Sequence, residues 1–591
     1  MNKKCFVKEA SVLLIITLVL SSVGVLAANT GHETEMGISG SAVLINGGSP
    51  IGVTDWWPMF HHDLTHSGYS TSDAPETNNV IWTYKIGDWA TSSPAVSDGK
   101  VYIGSDDDNV YCLDADDRTI IWTYKTGDVV FSSPAVSDGK VYVGSCDCYV
   151  YCLDANNGAA LWGYKAEDGI TSNPTVSDGR VYIGSEDGNV YCLNADNGFK
   201  IWSYKTGDEV HSSPAVSNGK VYVGSDDCYV YCLSADYGQK IWSYKTGDDV
   251  YSSPAVADGK VYIGSGYGDA YVNCLDADNG NLIWAYQTNG WATSSPAIAY
   301  GKVFIGFSSI HWGDYGKVIC LDAENGTFIW TYNTGISVSS SPAVADGKVY
   351  FGSFDNNTYC LNAYTGEKIW SYLTGDYVSS SPAVADGKVY IGSWEANVYC
   401  FGDLDPNAPG APTITGQSSG KPGTSYDYTF NAVDPNGDDV YYYIEWGDGN
   451  IEEWIGPYAS GDDVTVSHTW ANGSYTITAQ AKDTNDLLGP FGTLSVTMPK
   501  SYNSQSQQSV PSATTTTATS TAASQSTTST TTSTTTSQST PQSNPSQPST
   551  TQQSAPTATT PTSTSTATTT TTTTTTGTST SATTRQTNTI R

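Results

Sequence analysis

The sequence predicts an all-β protein: an eight-bladed β-propeller, then a β-sandwich, then a disordered Ser/Thr-rich tail. Three observations carry this reading. A unit of about forty residues recurs, marked by Trp82, Trp122, Trp162, Trp202, Trp242, Trp284, Trp330 and Trp370, each followed twelve residues later by a proline. Self-similarity at such a period is the signature of a propeller or solenoid. Residues 413–499 alternate as strands do, and residues 500–591 are almost wholly Ser, Thr, Gln and Pro.

One repeat, residues 201–240, holds four short runs rich in Val, Ile, Tyr and Trp, and none shows a helical period. Asp98-Gly99 and Asn218-Gly219 supply the positive φ of a tight hairpin, as do Asp196-Asn197-Gly198 and Asp278-Asn279-Gly280 at the next turn. Four antiparallel strands make one blade. The series opens on a lone tryptophan strand, residues 81–85, and closes on three strands ending at residues 398–401. Pairing residues 80–86 with residues 398–401 would close a ring of eight blades and hide both edges. A solenoid is the competing form, and it would need capping repeats.

Cys192–Trp202, CLNADNGFKIW, resembles the tryptophan-docking motif of pyrroloquinoline-quinone-like propellers. The lead-in Asp55–Ser70, DWWPMFHHDLTHSGYS, is similar to that family's approach to the first blade. The likeness covers residues 55–402 and implies a tryptophan packed between blades over a small residue, here Cys. The family includes quinone dehydrogenases, which clamp the cofactor between a Trp and an adjacent-cysteine disulfide beside calcium. This chain has no adjacent cysteine pair. Pyrroloquinoline quinone is therefore not expected, and neither is any other cofactor.

Residues 1–27 carry Lys3, Lys4 and Lys8, an apolar run and a small-residue end at Ala27, as in a signal peptide. A retained anchor is the alternative; otherwise no membrane-spanning segment is expected after signal removal. Either way the protein is exported, to the extracellular space or cell envelope. Residues 28–54 read as a flexible leader. With 59 acidic against 26 basic residues and a net charge of −33, nucleic acid is excluded as a partner.

His61, His62, Asp63 and His66 crowd the lead-in, where docking of the leader is favoured over metal binding. Cys112, Cys152, Cys192, Cys232, Cys274, Cys320, Cys360 and Cys400 occupy one strand position in successive repeats, too far apart to bridge. They read as small buried hydrophobes. Cys146, Cys148 and Cys228 are additional.

Residues 403–412 form a Pro-rich linker. Residues 413–499 resemble the polycystic-kidney-disease (PKD) type of immunoglobulin-like domain, through Trp446-Gly447-Asp448-Gly449 and His468-Thr469-Trp470. The tail, residues 500–591, cannot bury enough apolar surface to order, and reads as an O-glycosylated stalk. N-glycosylation triplets occur at Asn325, Asn356 and Asn472.

Positions that vary between repeats cluster on the face carrying the linkers into the SSP strands. Trp89, His211, Tyr251, Trp291, Trp312, Tyr377 and Trp394 are the candidate ligand-binding residues. Asp106, Asp107, Asp108, Asp226 and Asp227 are the candidate metal ligands, their oxygens suiting calcium. A solvated acidic rim is the plainer reading. The expected function is a non-catalytic, exported surface binding or adhesion protein, its partner an extracellular protein or glycan. The alternatives are a quinone-dependent dehydrogenase and an envelope protein-assembly scaffold.

Overall fold

Each repeat folds into one antiparallel sheet of four strands. In the third repeat these are Thr175–Ser177, Arg180–Gly184, Asn189–Asn194 and Lys200–Lys205, paired in sequence order. The computed structural model describes residues 54–266, 270–288, 290–309 and 315–499, which fall within one compact unit. The signal segment, nearly all of the leader, the stalk and Trp312 lie outside the described residues. Among the described residues there are eight such sheets and no helix. This is β-propeller architecture.

The opening strand Val80–Lys85 pairs with Asn397–Gly402, with Trp82 opposite Cys400 and Lys85 opposite Asn397. It completes the sheet formed by the last three strands of the repeat series. A belt of hydrogen bonds also runs from sheet to sheet through the SSP motif. The Ser93 N–H donates to Ser133 Oγ at 3.0 Å, and Ser133 N–H to Asn173 Oδ1. The relay continues through Ser213, Ser253, Ser295, Ser341 and Ser381, whose N–H returns to Ser93 Oγ at 3.0 Å.

The tryptophans join neighbouring sheets further out. Trp202 Nε1 donates to Ala235 O of the next sheet at 2.9 Å, and its ring lies under Gly238. A Cβ on Gly238 would meet that ring at 2.6 Å, and its φ of +67° already favours glycine. The same bond recurs from Trp122, Trp162, Trp242, Trp284, Trp330 and Trp82, while Trp370 donates to Pro75 O. The expected cysteine sits opposite the tryptophan within its own sheet, as Cys192 does to Trp202. The glycine and alanine carbonyl of the next sheet are what the indole docks on. All eight repeated cysteines are fully buried, and burial pushes their thiols up to about 12.

Residues 413–498 form two further sheets. Thr413–Gly416, Ser425–Asn431 and Val464–Thr469 make one; Ile451–Tyr458, Val440–Glu445, Gly473–Asp483 and Gly492–Met498 make the other. Their core holds Tyr428, Phe430, Tyr442, Trp446 and Trp470. His468 stacks on Trp446, centroids 4.5 Å apart, and bonds Asp448 at 2.8 Å. This sandwich rests against the propeller. Arg118, buried, stands 3.9 Å over the Tyr443 ring, and Gln480 Nε2 donates to Ile81 O.

Candidate functional site

The lead-in crosses the middle of the propeller and is bonded by its innermost strands. Val96 N–H donates to Trp57 O, Val136 to Pro58 O, Val216 to Leu64 O and Val256 to Thr65 O, at 2.6–2.8 Å. Ile298 and Val344 do the same to Ser67 O and Gly68 O, both at 2.7 Å. Tyr69–Ser70 then pairs in parallel with Ala343–Ala345. Six of the eight inner strands thus spend an inward N–H on this one segment, which fills the channel.

The histidines serve that docking. His66 Nε2 lies 3.1 Å from Thr175 Oγ1, a threonine where the other inner strands have alanine. His61 and His66 are buried, and desolvation lowers them to about 3 and 4. His62 differs. Burial opposes its charge, but Asp55 at 3.1 Å and Asp63 at 3.6 Å outweigh that and raise it to about 9. Asp55 and Asp63 stay well below the usual carboxylate range, since bonds from His62, Thr71, Ser67 and Thr65 outweigh their burial.

Above this floor the varied residues form two patches, not one. Trp89 and Trp394 stack, centroids 4.5 Å apart, and Tyr377 stacks on Phe354 at 5.2 Å. Trp394 bridges them, 5.4 Å from Tyr377, with Nε1 donating to Ser379 Oγ at 2.7 Å. Trp89 and Tyr377 remain exposed. Phe354 was not anticipated, although it stands in the same turn position as Asp226 and Trp394. Trp291 lies in the short strand Gly290–Trp291 against Ser308 and Ser309.

The second patch centres on His211, stacked on Tyr251 with centroids 5.1 Å apart. Its Nε2 faces Glu209 Oε2 at 3.0 Å and Asp226 Oδ2 at 3.4 Å. Its Nδ1 meets Thr171 Oγ1 at 2.9 Å, with Glu186 Oε1 at 3.9 Å. Burial raises Asp226 to about 6, helped by Asp249 and Glu209 and opposed by His211 and Tyr251.

The five aspartates expected as metal ligands are not brought together. Asp106–Asp108 belong to the first repeat sheet and Asp226–Asp227 to the fourth, with two sheets between. Asp107 and Asp227 are engaged in the fold. Asp227 Oδ2 accepts Tyr231 OH and Gly207 N–H, both at 2.6 Å, and Asp107 Oδ2 accepts Tyr111 OH at 2.5 Å. Asp106 accepts Thr91 Oγ1 at 2.6 Å, and Asp108 pairs with Lys125 at 2.9 Å. Burial raises Asp106, against its Thr91 bond, with Asp88, Asp107 and Asp108 adding to it. Cys146 and Cys148 are separate thiols. Of the N-glycosylation triplets, the one at Asn356 ends in fully buried Thr358. A cavity of about 560 Å³ lies elsewhere, between propeller and sandwich, lined by Asp116, Lys388, Asp403 and Leu488 among others.

Residues 65–300 match the sequence family described as the β-propeller of β-alanine-activating enzyme. Residues 226–442 match the family described as outer membrane protein assembly factor BamB. No curated protein sequence is significantly similar to the chain. Among solved structures, quinohemoprotein alcohol dehydrogenase from Comamonas testosteroni is 18% identical, TM-score 0.53, covering 59% of this chain and 81% of its own. A europium-containing methanol dehydrogenase is 16% identical, TM-score 0.51, covering 59% and 98%. BamB from Moraxella catarrhalis is 19% identical, TM-score 0.48, covering 55% and 97%. At such identities the dehydrogenase structures show a shared fold and nothing more. The repeat region is similar to the pyrroloquinoline-quinone-like β-propeller repeats.

Proposed function

We propose that the chain is a cell-envelope protein whose eight-bladed, closed propeller is a non-catalytic platform for binding another polypeptide, as an assembly scaffold does. The observation that carries this is the channel filled by the lead-in beneath an exposed aromatic patch. With the bore occupied, a ligand must sit on the face, where Trp89, Phe354, Tyr377 and Trp394 offer rigid apolar area. Such residues dominate protein recognition. The match to the BamB family supports an assembly role over adhesion. The Trp446 turn and His468 stack support a PKD-type spacer behind the platform. No helix among the described residues is long and apolar enough to cross a membrane.

The fold likeness to quinone enzymes favours a dehydrogenase as second reading. The residues here fit that cofactor poorly: Trp89 and Trp394 cover one another's faces, and the sequence has no adjacent cysteine pair. A stoichiometric quinone spectrum after reconstitution would restore that reading. The platform is tested by photo-crosslinking in cells from a reactive residue at position 89. A polypeptide adduct, lost in Trp394→Ala with Tyr377→Ala, is expected. A glycan adduct, or none, would overturn the assignment.

A further inference from the structure

We propose that Glu209, His211 and Asp226 form a binding site for a divalent transition ion, with zinc preferred over calcium. The site is separate from the aromatic patch and does not depend on the platform reading. Its three ligand atoms lie within 4.8 Å of one another. Tetrahedral zinc with bonds of about 2.0 Å sets its ligands roughly 3.3 Å apart. The separations from His211 Nε2, 3.0 Å to Glu209 and 3.4 Å to Asp226, bracket that value.

Two features beyond the cluster point to a ligand. The Asp226 side chain is only 9% exposed and Tyr251 bonds its carboxylate, yet its Oδ1 has no hydrogen-bond partner among the described residues. A buried carboxylate oxygen left unmatched is costly unless a cation or donor completes it. The His211 ring is also held as a metal ligand is held. Tyr251 stacks on one face, and Nδ1 lies 2.9 Å from Thr171 Oγ1 beside Glu186. In the tautomer whose Nδ1–H donates to Thr171, the lone pair of Nε2 points at two carboxylate oxygens. A cation between them would offset that repulsion, and an outer-shell partner on the far nitrogen is the usual accompaniment of a ligating imidazole. A nitrogen donor among carboxylates suits zinc and its neighbours, whereas calcium takes oxygen. The open side, at Glu209, leaves room for a further ligand.

The rival occupant is a proton on Nε2, making an imidazolium salt bridge. Calorimetric titration of chelator-treated full-length chain with zinc alone separates the two. One zinc per chain is expected, with cobalt giving the visible absorption of a tetrahedral site and equimolar calcium failing to compete. His211→Ala and Asp226→Asn should each weaken binding at least tenfold, and Thr171→Ala roughly tenfold, through loss of the outer-shell bond. If His211→Ala fails to fold, Glu209→Gln, on an exposed side chain, makes the same test. No zinc binding by the wild type, unchanged binding in these variants, or loss only in Asp248→Asn with Asp249→Asn beside Cys228 would overturn the proposal.

Discussion

Replacing His62 with glutamine tests whether a buried cation secures the lead-in. His62 lies between Asp55 and Asp63 with its side chain 13% exposed, and it is raised from an ordinary 6.5 to about 9. A rise of about 2.5 at 1.36 kcal/mol per pKa unit gives about 3 kcal/mol. The folded state holds this proton more tightly than the unfolded chain. The stability is therefore complete below pH 6.5 and disappears as pH rises through about 9. His62→Gln should cost about 3 kcal/mol at pH 6, in line with breaking a buried ion pair. At pH 10 the wild type has itself lost the charge, so the two proteins should converge. Urea midpoints read by tryptophan fluorescence at both pH values measure the difference. An equal gap at pH 6 and pH 10 would refute the reasoning, because the histidine would then act by packing alone.

On the acid side, His61 and His66 are buried neutral, so their contribution is present above pH 6.5 and falls as pH drops toward 4; His66→Gln should flatten that slope in the same assay. Gly198→Ala should lower the melting temperature more than Gly99→Ala. Both have φ near +70°, but only Gly198 would drive a Cβ to 2.5 Å from Trp162, adding about 1–3 kcal/mol of overpacking. Arg118→Ala should loosen the sandwich by roughly 2 kcal/mol, seen as faster proteolysis within residues 403–412 with the propeller's melting unchanged.

The architecture was legible in the sequence because each repeat solves the same local problem. Period-two strands, positive-φ turns at Asp98-Gly99 and Asn197-Gly198, and one tryptophan per unit all depend on residues close in sequence. The opening strand Val80–Lys85 could be matched to Asn397–Gly402 because an unpaired edge at each end implies a partner. The SSP belt was hidden: its serines look like turn residues until neighbouring sheets bring Ser381 back to Ser93. The docking of the lead-in was signalled by its crowded histidines, but not its path through the channel, since backbone bonds to Trp57, Leu64 and Gly68 leave no trace in side-chain pattern. The varied face was likewise legible as a set and not as a geometry. Each repeat forms its own sheet, so Trp89 meets Trp394 from the far end of the repeat series, while Asp107 and Asp227, alike in sequence, are each engaged by their own tyrosine. Local patterning determined which residues build the blades. Only the tertiary arrangement decided which of the remaining side chains meet, because those distances are set by how the sheets are arranged and not by spacing along the chain.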